Sequence, residues 1–446
     1  MQKASIKNSK KGFTLIETLL GITIASILIV SVYCALSGAM NNINESKKRT
    51  GAMALANEKM EIIRNIPYEE IGTINGIPSG TIQQTETITK NSYTYLVSIE
   101  IDYVDDPFDG KFDDPEPEND LVPNDYKKAN INVAWDNGGK SLSISSIFVP
   151  EGVENDTGGG TLIVNVTDSS SGVISDANVR VVSLDNASVD MTRKTDSFGN
   201  VTIFGVESQN YRIFVSKESY EETRTYPNPP TGGFVPVNSD FFVVENFINV
   251  KTFFIDRVAD LKFKAIDIAD NATIDAILFE IYGGKKLDVD GEKMSEDLSG
   301  STNSSGEISF GGIDAGEYLI ENFDSLGNDV YKNVTGDSSK TFNLSPDENK
   351  EIIFLFAKKA ENALIVSVKD ENGEIISGAM VEIVGDDFSQ AVQTEINGVA
   401  YFPSSDSEVL PSGEYSLSIS MDGYASYGGE ATINNLTEVN IVLNKL

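Results

Sequence analysis

The most pronounced hydrophobic pattern in the chain is an almost uninterrupted apolar run that begins at residue 13. It continues for roughly 20 residues, enough for a helix to cross a bilayer, and Glu17 is the only charged residue within it. Further along, apolar residues recur at intervals near three, four and seven as far as Ile63, with charged residues between them. This spacing is typical of an amphipathic helix, and Pro67 disfavours its continuation. We therefore predict one helix over residues 13–66, about 80 Å long.

After this helix the pattern changes to the alternation of β-strands. Residues 93–104 alternate apolar with polar positions and are rich in Tyr, Val and Ile, which favour strands. Two further strand patterns lie at residues 130–135 and 141–149, and the segment 137–139 between them, Asn-Gly-Gly, is a hairpin signal. We predict a β head over residues 67–158 that packs on the helix.

From residue 159 onward, one order of strand patterns recurs about every 100 residues, which indicates a repeat architecture. Each repeat has an apolar alternating strand, a second strand, a polar turn with Gly, and a strand that contains Tyr. The first strands lie at residues 161–168, 260–267 and 363–370. Short, evenly spaced strands indicate β-sandwiches, and the predicted sandwiches cover residues 159–257, 258–359 and 360–446. The predicted fold class is α+β overall: one long N-terminal helix packed on a β head, followed by three tandem all-β sandwich domains.

Composition narrows the functional classes. The formal net charge of −34 argues against a nucleic-acid partner and for a self-repelling outer surface. Cys34 is the only cysteine, so an intramolecular disulfide is excluded. Histidine is absent, which excludes Ser-His-Asp, Cys-His and zinc-His chemistry. We therefore expect no enzymatic activity and no cofactor other than calcium.

Calcium is considered because one loop of the predicted head, residues 105–125, is crowded with carboxylates, Gly and Pro. Calcium takes six to eight oxygen ligands from groups of this kind. The first candidate ligands are Asp105, Asp106, Asp109 and Asp113. Their spacing is not that of an EF-hand, and a solvated acidic loop without a metal is the alternative.

The N-terminus carries a more specific signal. A leader with Lys3, Lys7, Lys10 and Lys11 is followed by Gly12 and Phe13, and Glu17 lies one helical turn into the apolar run. This order resembles the type IV prepilin family, which includes the pseudopilins of type II secretion. The alternative is a plain signal anchor in which the Glu is incidental.

The resemblance implies a processing and assembly route. A prepilin peptidase would remove the leader, residues 1–12, by cutting between Gly12 and Phe13, and the new amino group of Phe13 would be N-methylated. Glu17 would pair with the Phe13 amine of a neighbouring pilin subunit. Before assembly, the helix would lie in the lipid of the inner membrane. Many major pilins have a helix-breaking Pro in this helix; its absence here before Pro67 favours a minor subunit.

The three predicted sandwiches resemble carboxypeptidase regulatory-like (transthyretin-like) domains and the collagen-adhesin B-type repeats. Such domains usually act as rigid spacers and binding modules. Collagen-adhesin repeats often contain a Lys–Asn isopeptide bond promoted by a Glu, and Lys262, Lys264, Asn343 and Glu321 have the required residue types. Strand alternation turns both lysines away from the core, which disfavours this bond.

These observations predict a structural or adhesive minor pilin-like subunit of a type IV pilus-like filament. It would occupy the cytoplasmic membrane as a single-pass protein before assembly and the cell surface or pilus afterwards. There its sandwiches would be displayed towards a surface or glycan ligand. A pseudopilin of a type II secretion-like system is one alternative, and a pilin-anchored surface binding protein or enzyme is another.

Overall fold

The computed structural model describes residues 14–108, 110–112, 114, 120, 123–150, 158–228, 235–268, 271–323, 326, 330–335, 340–404 and 408–446. The whole predicted leader with its four lysines, the predicted cleavage residues Gly12 and Phe13, and the candidate calcium ligands Asp109 and Asp113 lie outside the described residues.

The single long helix that the apolar pattern predicts is confirmed as α1, Leu15–Arg64. It begins with a capping box: the Thr14 hydroxyl accepts a hydrogen bond from the Glu17 amide at 3.3 Å, and the Glu17 carboxylate accepts one from the Thr14 amide at 3.4 Å. The Glu17 amide also donates to the Thr14 carbonyl at 3.1 Å, and the capping box adds side-chain partners at the helix start, where the first amides have no carbonyl one turn earlier. A 3₁₀ helix, Tyr68–Glu70, follows directly after Pro67.

The β head is a single antiparallel sheet whose four strands follow one another in chain order. Its strands are β1 Thr85–Lys90, β2 Tyr93–Val104, β3 Tyr126–Trp135 and β4 Lys140–Phe148. The predicted hairpin at residues 137–139 joins β3 to β4. Alternate side chains of β2 and β3 are buried against the C-terminal part of α1 and form one hydrophobic core.

Three sandwiches follow the head. Sandwich 1 contains β5 Gly160–Thr167, β6 Asn178–Ser183, β7 Asp190–Lys194, β8 Asn200–Val206, β9 Asn210–Ser216, β10 Thr223–Arg224, β11 Phe241–Phe242 and β12 Ile248–Phe254. Sandwich 2 contains β13 Ala259–Asp267, β14 Leu278–Lys286, β15 Met294–Ser301, β16 Glu307–Ile313, β17 Gly316–Glu321, β18 Tyr331–Asn333, β19 Thr341–Leu344 and β20 Asn349–Lys358. Sandwich 3 contains β21 Ala363–Asp370, β22 Met380–Val384, β23 Ser389–Gln393, β24 Val399–Phe402, β25 Gly413–Ser420, β26 Tyr427–Ile433 and β27 Leu436–Leu443.

The sandwiches share one topology. In each, the first strand pairs in parallel with the last strand and antiparallel with the strand after the Gly turn, which gives the sheets β12-β5-β8, β16-β13-β20-β18 and β24-β21-β27. The second sheets are β10-β9-β6-β7, with β11 also on β9, then β15-β14-β17-β19 and β23-β22-β25-β26. Each pair of sheets encloses its own apolar core. The predicted fold class, a long helix followed by tandem β domains, is confirmed.

Candidate functional site

The part of α1 from residue 15 to residue 43, here called the exposed half, carries a continuous apolar surface. Its large apolar side chains are between 51% and 83% exposed, from Leu15 to Ile43. The helix is long and apolar enough to cross a membrane. An apolar surface of this extent is a site for lipid or protein contact.

Few polar groups interrupt this surface. The hydroxyls of Thr18, Thr23, Ser26 and Ser31 donate hydrogen bonds of 2.8–2.9 Å to carbonyl oxygens three or four residues earlier in the helix. Backbone groups of a helix are likewise paired internally, which is the requirement for a segment within lipid. The exposed half can therefore enter a lipid or protein environment without leaving these hydroxyls unpaired.

Glu17 has a local structural role that the sequence prediction did not include. Its carboxylate belongs to the capping box with Thr14 at the first turn of α1. A carboxylate at this end of a helix also interacts favourably with the helix dipole. The predicted pairing of Glu17 with a neighbour's Phe13 amine stays a prediction, because Phe13 lies outside the described residues.

The remainder of α1, residues 44–64, is here called the packed half. Five of its residues are buried against the head, namely Ala52, Leu55, Ala56, Met60 and Ile63. Tyr95 of the sheet donates a hydrogen bond to the Lys48 carbonyl at 3.1 Å and fills the space beside Gly51, where a Cβ atom would collide with the Tyr95 hydroxyl. The head thus holds the helix by close contacts along this half.

A buried lysine fixes the chain where α1 ends. The Lys127 ammonium group on β3 donates hydrogen bonds of 2.8 Å to the carbonyls of Tyr68 and Ile71. It also lies 4.7 Å from the centre of the Tyr68 ring. Burial lowers the pKa of Lys127 to about 8 because desolvation disfavours the charged form. Lys127 was not singled out from the sequence, where it reads as an ordinary strand lysine.

Among the described residues of the acidic loop, the carboxylates that lie together are Asp105, which was predicted, and Asp120 and Asp125, which were not; the predicted Asp109 and Asp113 lie outside the described residues. Asp105 lies with Asp120 and Asp125, and one oxygen from each falls within 4.8 Å of the others. Asp106 lies beside this cluster, where its backbone amide donates to the Asp125 carboxylate, but its own carboxylate accepts a hydrogen bond from the Phe108 amide at 3.3 Å. Oxygen donors this close fit calcium chemistry, and calcium binding stays a prediction. Asp120 and Asp125 were missed because loop geometry, not spacing, brings them to Asp105.

The head and sandwich 1 share a packed joint. Ile77 of the head is buried within the core of sandwich 1. The Arg193 guanidinium donates a hydrogen bond of 2.7 Å to Asp102 of the head, and Phe112 packs edge-on against Phe204 with ring centres 5.1 Å apart. Because apolar packing and a partly buried ion pair act together at this joint, they restrict the angle between the two domains.

Sandwiches 1 and 2 are joined through a buried carboxylate. Glu221 of sandwich 1 is almost fully buried and forms an ion pair with Lys285 of sandwich 2. Its two oxygens also accept hydrogen bonds from the amides of Asp256, at 3.0 Å, and Ala315, at 2.9 Å. Lys285 in turn donates to the Phe254 carbonyl at 2.8 Å. Burial raises the pKa of Glu221, and the ion pair with Lys285 opposes that shift.

Sandwiches 2 and 3 are joined through an apolar cluster. Ile268 and Ala357 of sandwich 2 are buried with Ala363, Ile365 and other residues of sandwich 3. The Asn271 amide adds a hydrogen bond of 2.9 Å to Glu395 across the joint. All three joints therefore involve buried contacts, which favours a stiff arrangement of the domains.

The isopeptide crosslink considered for sandwich 2 finds no support in the positions of its residues. Lys262 and Lys264 point away from the core, as the strand alternation predicts, and Lys262 forms ion pairs with Glu307 and Glu351. Asn343 lies on β19 in the other sheet, where it is paired with Glu317 of β17.

Comparison with known proteins gives one match in sequence and several in structure. The family model for the prokaryotic N-terminal methylation motif matches residues 7–33. No curated protein matches the chain in sequence.

Solved structures that resemble the chain include the Bacillus anthracis TIE protein, with TM-score 0.21 and 14% identity over 82% of this chain and 76% of that chain. The streptococcal ancillary pilin has TM-score 0.20 and 14% identity, and the match covers 64% of this chain and 99% of that chain. The major pilin subunit BcpA of Bacillus cereus has TM-score 0.18 and 10% identity, and the match covers 64% of this chain and 99% of that chain. At these TM-scores the likeness carries no functional argument.

The family match confirms the N-terminal resemblance: this chain carries a prokaryotic N-terminal methylation motif at residues 7–33.

Proposed function

We propose that this protein is a structural, adhesive minor subunit of a type IV pilus-like filament. The observation that carries the proposal is the coincidence of the methylation motif at residues 7–33 with the exposed apolar half of α1. A helix that is apolar all round belongs in lipid or in the interior of an assembly. The processing and methylation motif at the start of α1 would account for the transfer of this helix from the lipid of the membrane to the interior of the filament.

In this proposal a prepilin peptidase cuts between Gly12 and Phe13 while α1 holds the chain in the cytoplasmic membrane. The processed chain then joins other pilin subunits, with the exposed half of α1 inside the filament and Glu17 near a neighbouring subunit's N-terminus. A carboxylate moved into an apolar interior is costly unless it finds a cationic partner. The freed amine of Phe13 has the charge that such a partner requires.

The domains beyond α1 are proposed to project from the filament at the cell surface. The buried contacts at all three joints support a stiff arm that keeps a binding surface away from the cell. The formal net charge of −34 suits a hydrated, self-repelling exterior. The role is one of spacing and binding, and the absence of histidine supports a protein that catalyses no reaction.

Protease shaving of intact cells tests the proposed location. The expected result is that external protease releases fragments of the three sandwiches from wild-type cells, and that sheared surface filaments contain the chain. Gly12→Ala is the matched variant: it leaves α1 and the sandwiches unchanged, so the unprocessed chain should stay in the membrane and leave the filament fraction. Sandwiches that resist external protease while the chain is correctly processed would contradict surface display and favour a secretion pseudopilus inside the envelope.

A further inference from the structure

Arginine is unevenly distributed along this acidic chain. Five of its seven arginines fall within residues 159–257 and none within residues 258–446, although the formal net charge of the chain is −34. Three of the five share the outer side of the second sheet of sandwich 1 with an aromatic residue. These four residues are here called the arginine face, and they are Arg180, Arg212, Phe214 and Arg224.

The strand register arranges the arginine face around one aromatic ring. Phe214 of β9 is paired with Arg180 of β6 on one side and with Arg224 of β10 on the other. The Arg180 guanidinium lies 5.3 Å from the centre of the Phe214 ring, and the Arg224 guanidinium lies 4.7 Å from that of Tyr226. Stacking on an aromatic ring holds a guanidinium group in place. The face therefore presents two positioned cations with an apolar ring between them.

The corresponding positions of the other two sandwiches carry the opposite charge. In the second strand of each sandwich, one outward residue lies between two buried ones, and it is Arg180 in sandwich 1, Glu280 in sandwich 2 and Glu382 in sandwich 3. The cross-strand partners of the two glutamates are Glu321 and Ser418, where sandwich 1 has the aromatic residue. Because the three sheets share this register, the arginine face is a local change of chemistry that the fold itself does not require.

Two carboxylates neutralise part of the arginine face. Asp190 accepts two hydrogen bonds of 2.7 Å from Arg180, and Asp240 accepts bonds of 3.1 and 2.6 Å from Arg212. The first pair is open to solvent and the second is largely buried. Arg224 is exposed and forms no ion pair with a carboxylate in the part of the chain that the structure describes. An anionic ligand can therefore reach Arg224 directly and can compete with Asp190 for Arg180.

The spacing of the two accessible arginines selects among anionic partners. Arg180 and Arg224 lie on strands that β9 separates, so their backbones are about 10 Å apart, and the exposed Glu222 lies two residues from Arg224. Duplex DNA carries a charge every ~1.7 Å along its axis, far more than this face can neutralise, and the net charge of −34 repels so dense a polyanion. A polysaccharide with carboxylates on alternate sugars has sparse charges, and guanidinium groups bind carboxylates through paired N–H bonds.

We infer that the arginine face of sandwich 1 binds an acidic polysaccharide, with carboxylates at Arg180 and Arg224 and a sugar ring over Phe214. The head contacts this sheet only at its β7 edge, through the backbone of Asp190 among others, and leaves the Arg180 side chain 48% exposed. The inference deepens the adhesive part of the proposed function and rests on it, because the face meets such a polymer only when the sandwiches are displayed outside the cell.

Binding of the detergent-solubilised full chain to immobilised hyaluronan, whose carboxylates lie on alternate sugars, tests the inference. We expect binding that weakens at least about 5-fold when salt rises from roughly 50 to 200 mM, because salt screens exposed ion pairs. Neutral dextran should not bind, and duplex DNA should bind at least about 10-fold more weakly than hyaluronan. Binding to neither anionic polymer, or tighter binding to DNA, would overturn the inference.

Matched charge changes locate the contact. Arg180→Gln with Arg224→Gln should weaken hyaluronan binding by about 10-fold or more, since two charge-assisted contacts are lost. Lys262→Gln with Lys264→Gln removes the same charge from exposed side chains of sandwich 2 and should alter binding by less than about 2-fold. Equal losses in the two pairs would mean that only net charge matters, and the arginine face would then not be the site.

A third variant separates ligand contact from a purely structural role of the arginines. Asp190→Asn removes the carboxylate that competes for the Arg180 guanidinium and should tighten hyaluronan binding about 2- to 3-fold. Unchanged or weaker binding would contradict a contact at Arg180. Failure of hyaluronan binding leaves the filament assignment intact, whereas sandwiches that resist external protease overturn that assignment without altering binding by the purified chain.

Discussion

The two halves of α1 have the same secondary structure and opposite surroundings. The packed half buries Leu55, Met60 and Ile63 against the sheet of the head, whereas Leu20 and Ile24 of the exposed half are more than half exposed. Tertiary contacts within the chain therefore account for only one half of the helix. The other half is built for a partner outside the chain, either lipid or neighbouring helices.

The sequence composition of the two halves explains this difference. The exposed half is rich in Ile and Val, which are modest helix formers in water. In an apolar environment every backbone group must be paired within the segment, and the helix becomes the favoured state regardless of such preferences. The packed half alternates charged with apolar residues, so that one side meets the head and the other meets water.

The largest effect should come from placing charge in the exposed half. Ile24→Lys together with Ile27→Lys is expected to weaken membrane insertion by about 5–7 kcal/mol, since each lysine near the bilayer centre costs about 2.5–3.5 kcal/mol. Partitioning of the purified chain between vesicles and buffer measures this change. The matched pair Met53→Lys and Asn57→Lys, on the solvent side of the packed half, should leave partitioning unaltered. Equal losses in both pairs would contradict the difference between the halves.

Leu55→Ala should destabilise the head by about 2–5 kcal/mol, because it removes a buried side chain and leaves a cavity. Urea unfolding of the detergent-solubilised chain, followed by Trp135 fluorescence, measures the loss. Leu36→Ala in the exposed half is the control and should change stability by no more than about 0.5 kcal/mol. If the control were equally destabilising, the exposed half would be packed on its own chain after all.

The next effect concerns the end of the packed half and depends on pH. Lys127 has a pKa of about 8 in the folded chain, below its value of about 10.4 in the unfolded chain. Between these values the unfolded chain holds a proton that the folded chain lacks, so stability should rise with pH, by about 1–3 kcal/mol, and the increase should be complete above the unfolded value. Lys127→Met should reduce this rise in urea titrations at pH 7 to 10.5 and leave only the part due to Lys251, whose pKa burial also lowers. A rise of undiminished size in the variant would assign it to another group.

The smallest effect is expected from calcium at Asp105, Asp120 and Asp125, beside the same end of the helix. If the cluster binds the ion, calcium at ten times its dissociation constant should stabilise the chain by about 1.4 kcal/mol. Thermal melts with calcium or with a chelator measure this. Asp125→Asn should remove the response, whereas Asp106→Asn should retain it because the Asp106 carboxylate bonds to Phe108 instead. An unchanged melt in calcium would leave the loop as a solvated acidic segment.

Local pattern was sufficient to predict α1, the β3–β4 hairpin and the tandem β architecture. These features depend on periodicity and turn residues that are contiguous in the chain. The sequence did not predict that Ile77 would enter the core of sandwich 1 or that Glu221 would meet Lys285, because these contacts join different domains and have no periodic signal. The carboxylate cluster was predicted only in part for the same reason. Asp105 was selected, but Asp120 and Asp125 reach it through the path of the loop.

Processing of the N-terminus is the central step of the proposed function, and the mass of the N-terminal peptide of the chain isolated from cells tests it directly. The predicted peptide begins at Phe13, carries one methyl group on its amine, and is lost in favour of the intact leader when Gly12 is replaced by Ala. A native chain that still begins with residues 1–12, or one cut after the apolar run, would contradict the account.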